Sequence, residues 1–310
     1  MSDWDRAYRF WLAQAQAESE HTARAYETAV ADLRNFAAPH LLENLGGADI
    51  AAWVNRMVER GLSTATINMR IAAVSSFYKY CMTTFTDGQG RPLATFNPAA
   101  GVKRGKVELY GNSRPLSIGQ VRALLDVVDC STASGMRDRA VLIMGIYTGR
   151  RSEEIRELRW GDILHTADGK PRYCWHGKGH KSRWDDLPMP VYQAIVLYLD
   201  AAGRRPKAGE FVFICHNGHE AGQALSSEWL NSMVKMYANQ AGLPDWVHAH
   251  TLRHTAANLR AQIGRPLQEI SMLLGHSSLR VTQIYLEAQM GFTDEGWRDV
   301  EKLVGGANDK

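Results

Sequence analysis

Four short stretches of this sequence gather guanidinium, ammonium and imidazole groups and one phenol at spacings that suit chemistry. The last, LLGHSSLRVTQIYL at 273–286, reads as a helix stopped by Gly275, a polar turn carrying His276, and a short helix carrying Tyr285. A tyrosine hydroxyl, with a free pKa of about 10, attacks only beside a proton acceptor and positive charge. Upstream, HAHTLRHTAANL at 248–259 places His250 and Arg253 three apart, on one side of a helix. In TGRRSEEIRELRW at 148–160, Gly149 turns the chain into a helix whose first turn holds Arg150, Arg151, Glu153 and Glu154. Acidic residues suit that end of a helix, whereas two arginines oppose its dipole. HGKGHKSRW at 176–184 carries Lys178 and Lys181 in a glycine-bearing hairpin, one way to deliver a flexible ammonium group into a cleft.

Each stretch alone has a plainer explanation: a salt-bridged helix start, a solvated turn, packed imidazoles, a half-buried tyrosine. A zinc site built on His248, His250 and His254 is disfavoured, because no cysteine or carboxylate stands at ligand spacing and H-E-x-x-H is absent.

The elements that must position these groups follow from the pattern. With 310 residues, two domains are expected. At 45% hydrophobic and 22% charged the chain is an ordinary globular one, and a net charge of +3 suits a nucleic-acid partner only if the charge is clustered. MSDWDRAYRF lacks the layout of a signal peptide, and the longest apolar run, AVLIMGIY, is too short to span a bilayer. No membrane partner is expected. The four cysteines are far apart and read as buried thiols in the cytoplasm.

Residues 1–101 read as a helical domain, with apolar residues three and four apart in DWDRAYRFWLAQAQ, TARAYETAVADLRNFA, DIAAWVNRMVERG and STATINMRIAAVSSFYKYCM. Residues 102–117, VKRGKVELYGNSRPLS, read as a basic linker with no hydrophobic period. A mainly helical domain follows over 118–290, with one small antiparallel sheet in GKPRYCWHGKGHKSRWDDLPMP, and 291–310 read as a tail helix. The fold class is therefore mainly α with one small β-sheet.

Taken together and in order, the arginine, the hairpin lysine, His-x-x-Arg, Gly-His and the tyrosine nine residues later resemble the tyrosine recombinase (phage integrase) family. The two-domain layout is similar to its Xer-like and Cre-like members, without a further arm-binding domain. The resemblance implies catalytic roles for Arg151, Lys178, His250, Arg253, His276 and Tyr285, with Glu154 supporting and Lys181 as the alternative lysine. The family motif usually has an apolar residue at the place of Arg150, which leaves open which of the two arginines enters the site.

In that reading the residues 1–101 form a core-binding domain that closes on double-stranded DNA together with the catalytic domain. Asn68, Arg70 and Lys79 are candidates for groove contact, and Lys103, Arg104, Lys106 and Arg114 for phosphate contact. The tyrosine forms a 3′-phosphotyrosine link that a second strand reverses, so neither ATP, metal nor another cofactor is implied. That agrees with the lack of a P-loop and of an acidic cluster for magnesium in the sequence. The implied partners are a specific recombination site, further copies of the chain in a tetramer on two sites with exchanged tails, and an accessory DNA-bending or directionality factor. The implied location is the nucleoid. The alternatives are a type IB topoisomerase-like or telomere-resolving strand transferase, and a DNA-binding regulator without catalysis.

Overall fold

The computed structural model describes residues 1–107, 114–177, 181–216, 218–275 and 282–283, the side chains of Glu18, Lys181 and Glu220 excepted. The chain divides into two compact units, Met1–Glu108 and Leu109–Lys310, so the division falls inside the basic segment 102–117.

In the first unit the four expected helices are α1 (Asp3–Glu18), α2 (Glu20–Ala37), α3 (Gly47–Glu59) and α4 (Thr64–Thr83). Serines start three of them: the side chains of Ser2, Ser19 and Ser63 accept the backbone N–H of Asp5, Thr22 and Thr66, satisfying donors that a helix start leaves unpaired. The apolar stripes meet in a core of Leu33, Ile50, Trp53, Met57, Ile71 and Phe77. Trp11 stacks on Tyr26 with ring centroids 4.9 Å apart. The stretch after α4 is irregular, as its glycines and prolines dictate, and Leu93 and Ala94 donate back to the Cys81 carbonyl. Val102 still packs on this core.

The second unit contains α5 (Ile118–Asp126), α6 (Ala133–Thr148) and α7 (Ser152–Arg156), then strands β1 (Ile163–His165), β2 (Pro171–Gly177) and β3 (Lys181–Asp186). It continues through α8 (Met189–Ala201), α9 (Ser227–Gln240), α10 (Ala249–Gln262) and α11 (Leu267–Leu274). The sheet is antiparallel in the order β1-β2-β3. Its first strand goes beyond the sequence reading, because three residues, Ile-Leu-His, are too few to show an alternation.

Helix α6 runs through the core, with Ala140, Val141, Leu142 and Met144 fully buried, and packs against α8 and α10. From Ala140 to Ile146 the helix is apolar on nearly every side, as a helix inside a core must be, and Tyr147 is its exposed residue near the C-terminal end. A side chain at Gly145 would lie 2.9 Å from Leu252 of α10, so its absence sets how closely these two helices approach. That closeness matters, because each carries part of the candidate site. Cys81, Cys174 and Cys215 are buried and Cys130 is half-buried. Among the described residues no helix is long and apolar enough to cross a membrane.

Candidate active site

Helix α6 ends on Gly149, whose φ of 63° is the left-handed conformation that a glycine adopts without a Cβ clash. The chain then runs extended before α7 begins at Ser152. Arg150 and Arg151 therefore precede the helix, Arg151 as its N-cap, and do not occupy its first turn, which corrects the sequence reading. The Arg151 backbone is extended, at φ −68° and ψ 154°. In extended chain successive side chains point to opposite sides, and the two arginines part accordingly.

Arg151 turns toward solvent, with its side chain 42% exposed. The Glu154 carboxylate accepts its backbone N–H at 3.0 Å and its Nη1 at 2.9 Å. Glu154 itself is only 4% exposed in its side chain, so a buried carboxylate aims an accessible guanidinium. Arg150 turns inward, with its side chain 1% exposed. Its Nε donates to the Tyr173 hydroxyl at 2.6 Å and its Nη2 to Asp185 at 2.7 Å. Its guanidinium carbon lies 4.2 Å from the centre of the Trp175 ring, within cation–π range.

Arg253 and His250 both lie on α10. The buried Arg253 guanidinium donates to the Gly149 carbonyl at 2.7 Å and to the Leu274 carbonyl, so one side chain bridges the C-terminal ends of α6 and α11. Those carbonyls lack helical partners and carry the negative end of the helix dipole, which suits a cation. His250 is exposed and meets His254 edge-on, ring centroids 4.5 Å apart. The protein around its ring, then the charges of Arg253, His248 and Arg151, push the His250 imidazole down to about 4. At neutral pH it is uncharged and able to take a proton. The third histidine, His248, faces the Trp246 carbonyl and the Thr251 hydroxyl at the start of α10. Among the described residues no group of three His, Cys, Asp or Glu side chains is placed to hold a metal.

Strands β2 and β3 carry the hairpin; Lys178 and the Lys181 side chain lie outside the described residues. Helix α11 closes on Gly275 at φ 62°, and a Cβ there would lie 3.1 Å from Trp175 of β2. The chain thus enters the Gly-His motif against the hairpin. His276, Tyr285 and the tail at 291–310 lie outside the described residues.

The sequence reading passed over the side chains that hold these parts together. Tyr173 pairs with Asp185 and Trp175 with Arg183 across β2 and β3, so all four share one face of the hairpin. Asp185 accepts from Arg150, Trp175 and Arg183. Arg183 also donates to the Met272 carbonyl at 3.2 Å, and Arg260 to the carbonyls of Ala256 and Tyr147. The signal lay in the alternation Y-x-W and R-x-D, once the strands are registered.

The candidate DNA contacts divide. Lys79, Lys103, Arg104, Lys106 and Arg114 are exposed. Asn68 exchanges two hydrogen bonds with the Gly105 backbone, at 2.7 and 3.1 Å, and so fastens the end of the first unit to α4. Arg70 is 12% exposed in its side chain and lies 2.8 Å from Asp32.

Residues 116–291 match the phage integrase family, and residues 7–84 match the phage integrase N-terminal SAM-like domain. Tyrosine recombinase XerD of Listeria monocytogenes serotype 4b is 30% identical over 299 residues, which cover 92% of this chain and 94% of that protein. Tyrosine recombinase XerC of Herpetosiphon aurantiacus is 31% identical over 285 residues, 89% of this chain and 87% of that one. Among solved structures, a lambda integrase (residues 75–356) dimer bound to a COC′ core site has the same fold, with a TM-score of 0.71 at 16% identity over 94% of this chain and 97% of that one. The XerH site-specific recombinase in a post-cleavage complex with palindromic difH has a TM-score of 0.70 at 21% identity, covering 91% and 79% of the two chains. With both domains matched and relatives aligned over nearly their whole length, the chain belongs to the phage integrase family of tyrosine recombinases.

Proposed function

We propose that this chain is a site-specific DNA recombinase that cuts and rejoins DNA strands through Tyr285. The observation that carries the reading is the meeting of Arg151, Arg253 and His250. Arg253 holds the carbonyl of Gly149, two residues ahead of Arg151, and the charges of both arginines reach the His250 ring.

A phosphodiester under attack concentrates negative charge on its non-bridging oxygens. Guanidinium groups fork onto such oxygens, and those of Arg151 and Arg253 stabilise charge that grows during the reaction. The Tyr285 oxygen attacks phosphorus and forms the new P–O bond while the bond to the 5′-oxygen breaks. The tyrosine proton passes to neutral His250, and Lys178 gives a proton to the departing 5′-oxygen. His276 hydrogen-bonds and orients the phosphate. Ligation is the same sequence run backward by a second 5′-hydroxyl, so the energy of the broken bond is retained.

Lys79, Lys103, Arg104, Lys106 and Arg114 contact phosphates, which makes binding steeply salt-dependent. Asn68 and Arg70 act indirectly, by holding the surfaces that carry these cations. Recombination joins two sites in a tetramer with exchanged tails, with an accessory bending or directionality factor in some reactions, at the nucleoid.

The test is covalent trapping. Nicked duplexes from a random-sequence library, incubated with the protein, yield DNA joined to wild type and none joined to Tyr285→Phe. Equal trapping by the two proteins removes Tyr285 as nucleophile, and no trapping by wild type favours a DNA-binding regulator. Recovered sites placed twice in a plasmid give deletion products; relaxation without deletion marks a topoisomerase-like activity.

A further inference from the structure

We infer that Arg150 is a positioning residue: through Asp185 it locks the β2–β3 hairpin to the turn that carries Arg151, so that the hairpin lysine delivers its proton from a fixed frame. The inference rests on the reading of Lys178 as proton donor.

The argument begins with burial. A guanidinium whose side chain is 1% exposed has lost its water and needs partners of matching geometry. On one face of the hairpin Arg150 finds Tyr173 and Asp185 as acceptors for Nε and Nη2 and the ring of Trp175 against its guanidinium, while Nη1 is buried without a hydrogen bond among the described residues. A buried ion pair adds little net stability over an apolar side chain of similar volume. The family motif's usual apolar residue would fill this place more cheaply. What the fork supplies instead is direction, since two N–H groups and a ring face fix the hairpin in more than one axis.

Asp185 then extends the connection. One of its oxygens accepts from both Arg150 and Trp175, at 2.7 and 2.8 Å, and the other from Arg183 at 2.8 Å. Arg183 reaches on to the Met272 carbonyl near the end of α11. Arg150, Asp185 and Arg183 therefore join three segments, and along the sequence each leads to a different motif: Arg151 after α6, Lys178 between β2 and β3, and His276 after α11. Arg150 touches no reacting atom in this scheme. It acts on the geometry between those three.

The experiment compares two leaving groups on the duplex recovered by wild-type trapping. One carries the ordinary bridging 5′-oxygen at the scissile phosphate, the other a sulfur there. A thiolate departs without a proton, so the sulfur duplex bypasses the hairpin lysine. Arg150→Leu is expected to slow single-turnover cleavage of the oxygen duplex by about 100-fold, the scale of a lost general acid, and to leave the sulfur duplex nearly unchanged. Asp185→Asn should show the same split, and Arg150→Lys, which keeps the charge but not the fork, a smaller one. Should Arg150→Leu fail to fold, those two variants carry the comparison.

Equal slowing of both duplexes would overturn the inference, because the effect would then run through Arg151 or through stability. Unchanged cleavage of both would overturn it as well. A wild type that traps no DNA at all sinks the recombinase reading itself, a result distinct from either.

Discussion

Two aspartates, one in each unit, gather the same set of donors. Asp32 accepts from the Trp53 indole at 2.9 Å and from Arg60 at 2.7 Å, and Arg70 lies 2.8 Å away. Asp185 accepts from the Trp175 indole and from Arg150 and Arg183. The chemistry is alike: a carboxylate stands among one indole N–H and two guanidinium groups, in places where an unpaired charge is costly. The consequences differ because of where the attached chain leads. Around Asp32 the donors come from α3, its end and α4, so the cluster ties helices of one bundle to one another. Around Asp185 they come from the turn before α7 and from the hairpin, and each leads to a motif residue. One local arrangement thus serves stability in the first unit and geometry in the second.

That contrast is open to test, beginning with the largest effect. Arg151→Ala removes an accessible guanidinium whose loss strands only Glu154. Single-turnover cleavage should fall by about 100-fold or more, as for other lost transition-state donors. Its thermal midpoint should stay near that of wild type, and a large fall would mean that Arg151 is structural like its neighbour.

Asp185→Ala leaves the Arg150 guanidinium buried without its carboxylate. Loss of about 3 kcal/mol is expected from a broken buried pair, visible as faster hydrogen exchange in β2, β3 and α6, together with slower cleavage. Asp32→Ala should cost less, about 2 kcal/mol, because Arg60, with a side chain 45% exposed, turns to water instead. Exchange should quicken in α2, α3 and α4 while cleavage at saturating DNA keeps its rate. If Asp32→Ala slows cleavage as much as Asp185→Ala, the difference between the clusters disappears.

Acid sharpens the comparison by a smaller step. Burial alone would raise the Asp32 carboxyl, but hydrogen bonds from Arg60 and Trp53 and the charges of Arg70 and Arg60 outweigh it and hold the group below its ordinary 3.8. A depressed carboxyl contributes stability that is fully present above the unfolded value and lost as pH falls through the folded one. Exchange in α2–α4 should therefore accelerate below about pH 4 in wild type and change less in Asp32→Asn.

His250 provides the corresponding measurement in the second unit. The folded value near 4 lies below the ordinary 6.5, so as pH falls below 6.5 protons favour the unfolded chain, and the His250 contribution to stability is lost toward pH 4. The imidazole of the DNA-free protein should titrate by NMR with a midpoint near 4. A midpoint near 6.5 would show that the ring feels neither the surrounding protein nor the charges of Arg253, His248 and Arg151.

Much of this architecture was legible beforehand. Helices α1 to α4 followed from apolar residues three and four apart, because helix periodicity is a local property. The hairpin's existence was visible in its alternation and glycines. Its register was not, and neither was β1, since pairing partners are chosen by the rest of the fold. The motif residues stood out by type and order, while Asp185, Trp175 and Tyr173 carried no mark of their own. The partners of Asn68 and Arg70 were not legible either: one fastens Gly105 and the other lies against Asp32, contacts made across the fold.

The sequence by itself determined the helices of the first unit, the hairpin, and the ordered set of Arg, Lys, His, Arg, His and Tyr, because these depend on residue type and short spacing. Only the tertiary structure separates Arg150, which is buried, from Arg151, which is accessible. Their identities and neighbourhood are the same, and what separates them is a single reversal of side-chain direction in extended chain, made after Gly149 ends its helix against Arg253. Burial of a charge depends on partners brought from far along the chain, and that information is carried by packing, not by local spacing.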